Sequence, residues 1–309
     1  MQHLWSVEGI NLQRSWITVG TFDGIHLGHQ AIVRELVSGA RRKNLPSVVI
    51  TFHPHPAVIL KKRDRSFYLT NPEERAELLG EMGADFVVSY PFTSQVAEMS
   101  ASQFVDHLHS HLHFEKLIVG FNFALGKGRE GDVATLSRFG EAYGFTVQTV
   151  VPVTNGGEVI SSSQIRYSLA EGDVERVAKF LGRSYRLTGP VIPGDGRGRL
   201  IGIPTANIDI WVERALPKAG VYACTAQALG QKWNAVANIG YRPTFESAPV
   251  LPRVEAHLLD FKGDLYAETI SLDFVQRLRD ERRFDSAKSL VTQIHQDIAT
   301  ARDLLLKSE

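Results

Sequence analysis

The sequence predicts two domains: an α/β domain with a doubly wound, mainly parallel sheet, then an antiparallel β-barrel with a C-terminal helix. Three observations carry this. Across residues 16–165, short β-rich runs alternate with helical segments, the pattern of a parallel sheet covered by helices on both faces. After Tyr185, glycine and proline punctuate short alternating runs, the texture of a barrel. Near the end, Leu290, Ile294, Ile298, Ala301 and Leu305 recur at helical spacing within residues 286–306.

Taken in order, residues 17–20, 47–52, 86–90, 116–119 and 145–151 are the N-terminal strand candidates, rich in β-branched and aromatic residues. Helices are expected around 29–42, 72–82, 101–113 and 135–143, with Pro72 placed for a first helical turn. Right-handed crossovers then put the binding crevice at the carboxyl ends of the strands. Two short helices follow at 163–170 and 173–181, the second capped by Asp173 and stopped at Gly182. Barrel strands are expected at 221–226, 233–239, 254–259 and 268–274.

A chain of 309 residues suits two domains, each with its own core, and the change of texture divides it into 1–184 and 185–309. Basic and acidic residues balance at 34 each, so no global field attracts a polyanion or an anionic membrane. Nucleic acid and membrane are therefore not expected partners, and no obligate protein partner is evident. The lone Cys224 forms no internal disulfide, and no Cys/His cluster has structural-zinc spacing. The first residues lack a signal-peptide pattern, and no apolar stretch approaches the ~20 residues of a membrane span. A soluble, cytoplasmic protein is expected.

The first candidate site lies where residues 17–20 run into Thr21-Phe22-Asp23-Gly24 and a helix starts at about Gly28. Backbone N–H groups at such a start point at whatever anion sits in the turn. His26 and His29, three apart, place two imidazoles around the first helical turn, and Gly28 is expected to let a ligand approach the backbone. A second segment, Ile160-Ser161-Ser162-Ser163-Gln164-Ile165-Arg166, sets three hydroxyls before a helix start and an arginine one turn in, again an anion-binding arrangement.

These segments, with Thr51-Phe52-x-Pro54-His55-Pro56 and Gly120-x-Asn122-Phe123, resemble the adenylyltransferase module of the bacterial bifunctional riboflavin kinase/FAD synthetase family. That family sits among the HxGH nucleotidylyltransferases. The resemblance implies transfer of AMP from ATP to the phosphate of FMN, giving FAD and pyrophosphate. It implies that His26, His29 and Arg166 act on the ATP phosphates, and that Gly20, Thr21, Phe22, Asp23, Gly28, Asn122, Ser161, Ser162 and Ser163 help bind the substrates. A phosphate monoester has its second pKa around 6, so this nucleophile needs no general base. Ser163 stands where threonine is usual, and Ala124-Leu125 replace a basic-aromatic pair.

The second candidate site is Gly194-Asp195-Gly196-Arg197-Gly198-Arg199-Leu200-Ile201-Gly202-Ile203-Pro204-Thr205-Ala206-Asn207. Glycines let main-chain N–H groups wrap phosphate, and a hydroxyl plus an amide carbonyl suit Mg²⁺ as hard oxygen ligands. The Gly-x-Pro-Thr-Ala-Asn ending resembles the riboflavin kinase module of the same family. Gly220-Val221-Tyr222, Asn238-Ile239-Gly240-x-Arg242-Pro243-Thr244-Phe245, Val254-Glu255-x-His257 and Arg279-x-Glu281-x-x-Phe284 follow in order. The resemblance implies a six-stranded barrel, Thr205 and Asn207 as Mg-ATP ligands, and Glu255 as the base for the riboflavin 5′-hydroxyl. Gly196, Arg197, Gly198, Arg199, Gly202, Pro204, Asn238, Arg242, Arg279 and Glu281 are implied at the nucleotide or flavin. Glu255 shares a strand face with His257, opposite Val254, Ala256 and Leu258. Pro193 sits where a histidine is common.

Other signals are weaker. Gly126-Lys127-Gly128-Arg129-Glu130-Gly131 satisfies G-x-G-x-x-G but does not join a strand directly to a helix, so it is read as part of the adenylyltransferase site. His107, His109, His111 and His113 flank a helical face marked by Phe104, Leu108 and Leu112, and a solvated face is expected rather than a metal site. No Walker sequence exists. Two other readings stay open from sequence alone: an N-terminal module acting on another phosphate or alcohol, and a flavin-binding regulator without turnover.

Overall fold

In the computed structural model, which describes residues 1–60, 67–194, 196–241 and 252–306, the five expected N-terminal strands form and a sixth joins them. The strands are β1 Gln2–Leu4, β2 Ser15–Gly20, β3 Ser47–His53, β4 Phe86–Pro91, β5 Phe114–Gly120 and β6 Thr146–Val150. Their order is β1-β4-β3-β2-β5-β6, with every neighbouring pair parallel. The unexpected β1 pairs through only three residues, too short a run to show a period.

Alternation along these strands decides which helix each face buries. The helices are α1 Leu27–Arg42, α2 Pro72–Glu81, α3 Ala101–Leu112 and α4 Val133–Tyr143. Ile17, Val19, Val48 and Ile50 pack with Phe104 and Leu108 of α3 and Leu136 of α4. Their neighbours Trp16, Val49, Val87 and Ile118 turn to the other face, against Leu36 of α1 and Leu79 of α2. A period of two thus yields two cores on one sheet. Each fully buried aliphatic side chain contributes about 1.5–3 kcal/mol.

The helix starts follow local chemistry. Pro72 is the first residue of α2, and Asn71 and Glu74 form a reciprocal capping box. From β2 the chain winds to β3 and β4 on one side, then returns to β5 and β6 on the other. The order therefore reverses between β2 and β5, where doubly wound sheets open a crevice.

The chain divides into two compact units, Met1–Ser162 and Ser163–Glu309. This differs from the division after residue 184 expected from texture. Helices α5 Ser162–Glu171 and α6 Val174–Leu181 account for the difference. Val177, Phe180 and Leu181 form a buried stripe on α6, and α6 lies against barrel strands; Lys218 N–H also donates to Leu169 O at 2.8 Å. Asp173 caps α6 and Gly182 ends it at φ 70°.

The second unit is a closed antiparallel barrel of β7 Tyr185–Ile192, β8 Ala206–Ile208, β9 Gly220–Ala228, β10 Gln231–Tyr241, β11 Pro252–Leu258 and β12 Thr269–Arg279. The order is β7-β8-β11-β10-β9-β12, with β12 pairing back to β7. Helix α7, Ala287–Leu306, packs on the barrel exterior through Ile298, Ala301 and Leu305 against Val221, Ala223 and Val236.

Candidate active sites

At the crevice between β2 and β5, a cavity of about 610 Å³ is lined by Gly20, Thr21, Phe22, Gly120 and Asn122. His26 and His29 line it too, joined by Ser161 and Ser162. The two segments that the sequence paired as one phosphate site therefore meet, and Ser162 Oγ donates to Asp23 O at 2.9 Å.

His26 is the N-cap of α1: its Nδ1 accepts from the His29 N–H at 3.3 Å. An Nδ1 that accepts leaves the ring proton of a neutral imidazole on Nε2, so His26 is a fixed Nε2–H donor. Its ring is 6% exposed and stacks on His29 with centroids 3.7 Å apart. The His29 ring also meets Phe22, with centroids 5.1 Å apart. Gly28 also has a steric role inside the turn. A Cβ there would sit 3.0 Å from the His26 ring, so the glycine makes room for the imidazole.

Asp23, expected to help bind the substrates, has its side chain held by the interior. Its carboxylate is fully buried, accepts the N–H groups of Leu69 at 2.9 Å and Thr70 at 3.1 Å, and lies 3.8 Å from Arg75 Nη2. A buried carboxylate needs donors and a countercharge, and the interior supplies them. Arg75, equally buried, donates to Thr51 Oγ1 at 2.9 Å and Phe52 O at 3.2 Å, while Thr51 Oγ1 donates to Thr21 O at 2.8 Å. This network fixes a turn in which Phe22 and Ile25 hold φ of 46° and 42°. Such non-glycine conformations persist only where the surroundings over-determine them. Arg75 escaped sequence reading because a single arginine on a helix resembles any solvated charge.

Most of the remaining lining is apolar. Phe92, Phe104, Phe121 and Phe123 contribute aromatic surface, with Ala124 and Leu125 between them and the loop beyond. Leu125 is 8% exposed and packs in the α3–α4 core, which explains an aliphatic residue there. Ser163 and Arg166 lie on α5, in the second unit. Of the histidine row, His107 and His109 are half-buried. Burial lowers both below the ordinary imidazole range, and His111 and His113 push the same way.

On the barrel, strand register gathers the second set. Asn207 of β8, Glu255 of β11 and Asn238 of β10 are direct cross-strand partners, so all three share one face. The inward row beside them is Ala206, Ala256 and Ala237. Glu255 and His257 share the outer face as expected, and His257 Nδ1 donates to Pro204 O at 2.7 Å, next to Thr205. Glu281 Oε1 accepts from Asn238 Nδ2 at 3.4 Å. Gly194 abuts the Asn207 carboxamide and Gly240 abuts Glu281 Oε1, so a Cβ at either position would push that side-chain end out of its place. A Cβ at Gly198 would lie 3.3 Å from Thr205 Oγ1. Gly196 and Gly202, at φ 68° and 76°, bracket the helical turn Arg197–Leu200 that carries Arg199. Arg242 and Asp195 lie outside the described residues. Arg279, expected at the ligand, forks onto Asp297 of α7 instead, at 3.0 Å through Nε and 2.8 Å through Nη2.

Two family models match in chain order, FAD synthetase over residues 10–164 and riboflavin kinase over residues 181–305. A bifunctional riboflavin kinase/FMN adenylyltransferase from Listeria monocytogenes is 37% identical over 294 residues, 95% of this chain and 93% of that protein. The chain belongs to the bifunctional riboflavin kinase/FMN adenylyltransferase family. A member from Escherichia coli (strain K12) is 38% identical over 289 residues, covering 93% of this chain and 91% of the relative. A solved structure described as a macrolide-efflux protein from Streptococcus pneumoniae superposes with a TM-score of 0.89 at 31% identity, covering 97% of this chain and 98% of that one. Among the described residues here, no helix is long and apolar enough to cross a membrane. Within the family pattern, the FAD synthetase match spans the cavity segments from Gly20 to Ser162, and the riboflavin kinase match spans Thr205, Asn207, Asn238 and Glu255.

Proposed function

We propose that this chain makes flavin cofactors in two ATP-dependent steps, riboflavin to FMN at the barrel and FMN to FAD at the N-terminal cavity. The observation that carries this is the presence, in one chain, of both family modules, each with its own distinct polar cluster. At the cavity, a phosphate oxygen of FMN bonds to the α-phosphorus of ATP while the bond to the β-phosphate oxygen breaks and pyrophosphate leaves. FMN is already largely ionised near neutral pH. The residues then align two phosphates and hold the charge that builds at phosphorus, with the His26 Nε2–H and the α1 start as donors.

At the barrel, the riboflavin 5′-oxygen bonds to the γ-phosphorus, ADP leaves, and Glu255 accepts the hydroxyl proton. Thr205 and Asn207 fit Mg²⁺ as oxygen donors: glycines 194 and 198 pack against these very side chains, a cradle that any Cβ would fill. When bound, Mg²⁺ neutralises phosphate charge. The free Cys224 suits a reducing cytoplasm.

The test is product analysis. Purified protein with riboflavin, ATP and Mg²⁺ should yield FMN and then FAD by HPLC. FMN accumulating without FAD would sink the assignment of the cavity, and neither product would sink both.

A further inference from the structure

The G-x-G-x-x-G run of residues 126–131 is not a dinucleotide fingerprint, yet the fold holds it tightly in place. A Cβ at Gly126 would lie 2.6 Å from Ala101 N, and one at Gly131 2.6 Å from Ala101 Cβ, so the loop is pressed onto the start of α3. Lys127 N–H donates to Met99 O at 2.8 Å, and Lys127 Nζ pairs with Glu98 at 2.6 Å. Glu130 Oε1 accepts the Ala101 N–H at 2.8 Å. Two of the three charged residues of the loop are thus engaged with residues 98–101.

The third turns the other way. Arg129 has φ of 65°, lines the cavity, and donates through Nη2 to Asn122 O at 2.9 Å. That bond fixes the guanidinium beside the segment following β5, while the remaining N–H groups of its fork exceed what one carbonyl uses. Among the described residues lining the cavity, the ionisable side chains are His26, His29, His55 and Arg129, with no carboxylate. Arg129 is the permanent charge in that set. It adjoins the aromatic part of the lining, at Phe121 and Phe123, whereas the imidazole pair and the α1 start belong to the β2 side.

Two anions must share this cavity, and each needs its own countercharge or donors. A phosphorylated flavin presents a flat apolar ring system and a phosphate dianion, which match the aromatic side and its one guanidinium. We propose that Arg129 receives the phosphate of the flavin substrate and makes the cavity prefer a phosphorylated flavin to riboflavin. This rests on the proposed adenylylation of FMN.

Full-length wild type, R129Q and R129K are compared by steady-state FAD formation from FMN and ATP. R129Q should raise the KM for FMN about tenfold or more, the scale of one charge-assisted contact, with kcat and the KM for ATP little changed. R129K should recover most of the affinity. Riboflavin, as a competitor of FMN in the same assay run in a Glu255→Gln background so that the barrel does not phosphorylate it, should inhibit the R129Q form as well as the form that keeps Arg129. The wild-type KM for FMN should fall as pH rises through about 6, where the monoester becomes a dianion, and R129Q should flatten that dependence. An unchanged KM for FMN, a rise confined to ATP, or R129K as weak as R129Q would overturn the role of the charge. Wild type making no FAD would instead overturn the function on which it rests.

Discussion

The two sites differ in what they set beside the nucleophile. The cavity offers imidazoles and a guanidinium, with no carboxylate among its described lining residues, whereas the barrel sets Glu255 between Asn207 and Asn238. The difference tracks acid–base chemistry. A phosphate monoester ionises near pH 6 and needs only alignment and neutralisation; an alcohol keeps its proton and needs a base. The scaffolds differ as well. The barrel residues are held by strand register, but the cavity residues sit on turns fixed by the buried Asp23–Arg75 network.

Removing the proposed base is the largest test of that contrast. Glu255→Gln should lower FMN formation by about 10²–10⁴-fold while FAD formation from supplied FMN persists. The reciprocal change, His29→Ala, should depress FAD formation and spare FMN formation. HPLC of both products checks each, and either variant losing both activities while still folded would break the two-site comparison.

Next in size is the scaffold. Arg75→Met leaves the Asp23 carboxylate buried without its cation, which typically costs about 3–5 kcal/mol. Thermal unfolding should show an early transition and loss of FAD formation, while the barrel still makes FMN. Adding Asp23→Asn removes the stranded charge and should recover much of the loss. A Tm unchanged in Arg75→Met would mean that the turn is held by other bonds.

These networks also mark what the sequence could tell. Val48, Val49 and Ile50 alternate between two cores, and it was the alternation of such β-rich runs with helical segments along the chain that pointed to a doubly wound sheet. The Ser161–Ser162 segment was legible as a partner of His26 and His29 because both carry anion-binding patterns. The structural partners of Asp23 were not legible because Leu69 and Thr70 are 46 and 47 residues away and bind through their backbones, which carry no signature. The unit boundary moved because the apolar stripe of α6 shows only that it needs a surface, not which one.

Arg279 gives the smallest effect and the sharpest distinction between ligand and strut. Its guanidinium is 20% exposed, the Asp297 carboxylate 6%, and Gln293 Nε2 adds a further donor to Asp297 at 2.8 Å. The bond joins the end of β12 to α7, so breaking it should cost about 1.5–3 kcal/mol, as for hydrogen bonds to charged groups, and loosen the helix from the barrel. A strut predicts that Arg279→Gln and Asp297→Asn destabilise alike and that the double variant adds little to either. A ligand-binding role predicts that Arg279→Gln alone raises the KM for ATP or riboflavin, while Asp297→Asn leaves it in place. Equal losses of stability, with strong coupling and unchanged KM values, would place Arg279 with Asp23: charged residues that resemble site residues in the sequence and that hold the fold behind the site.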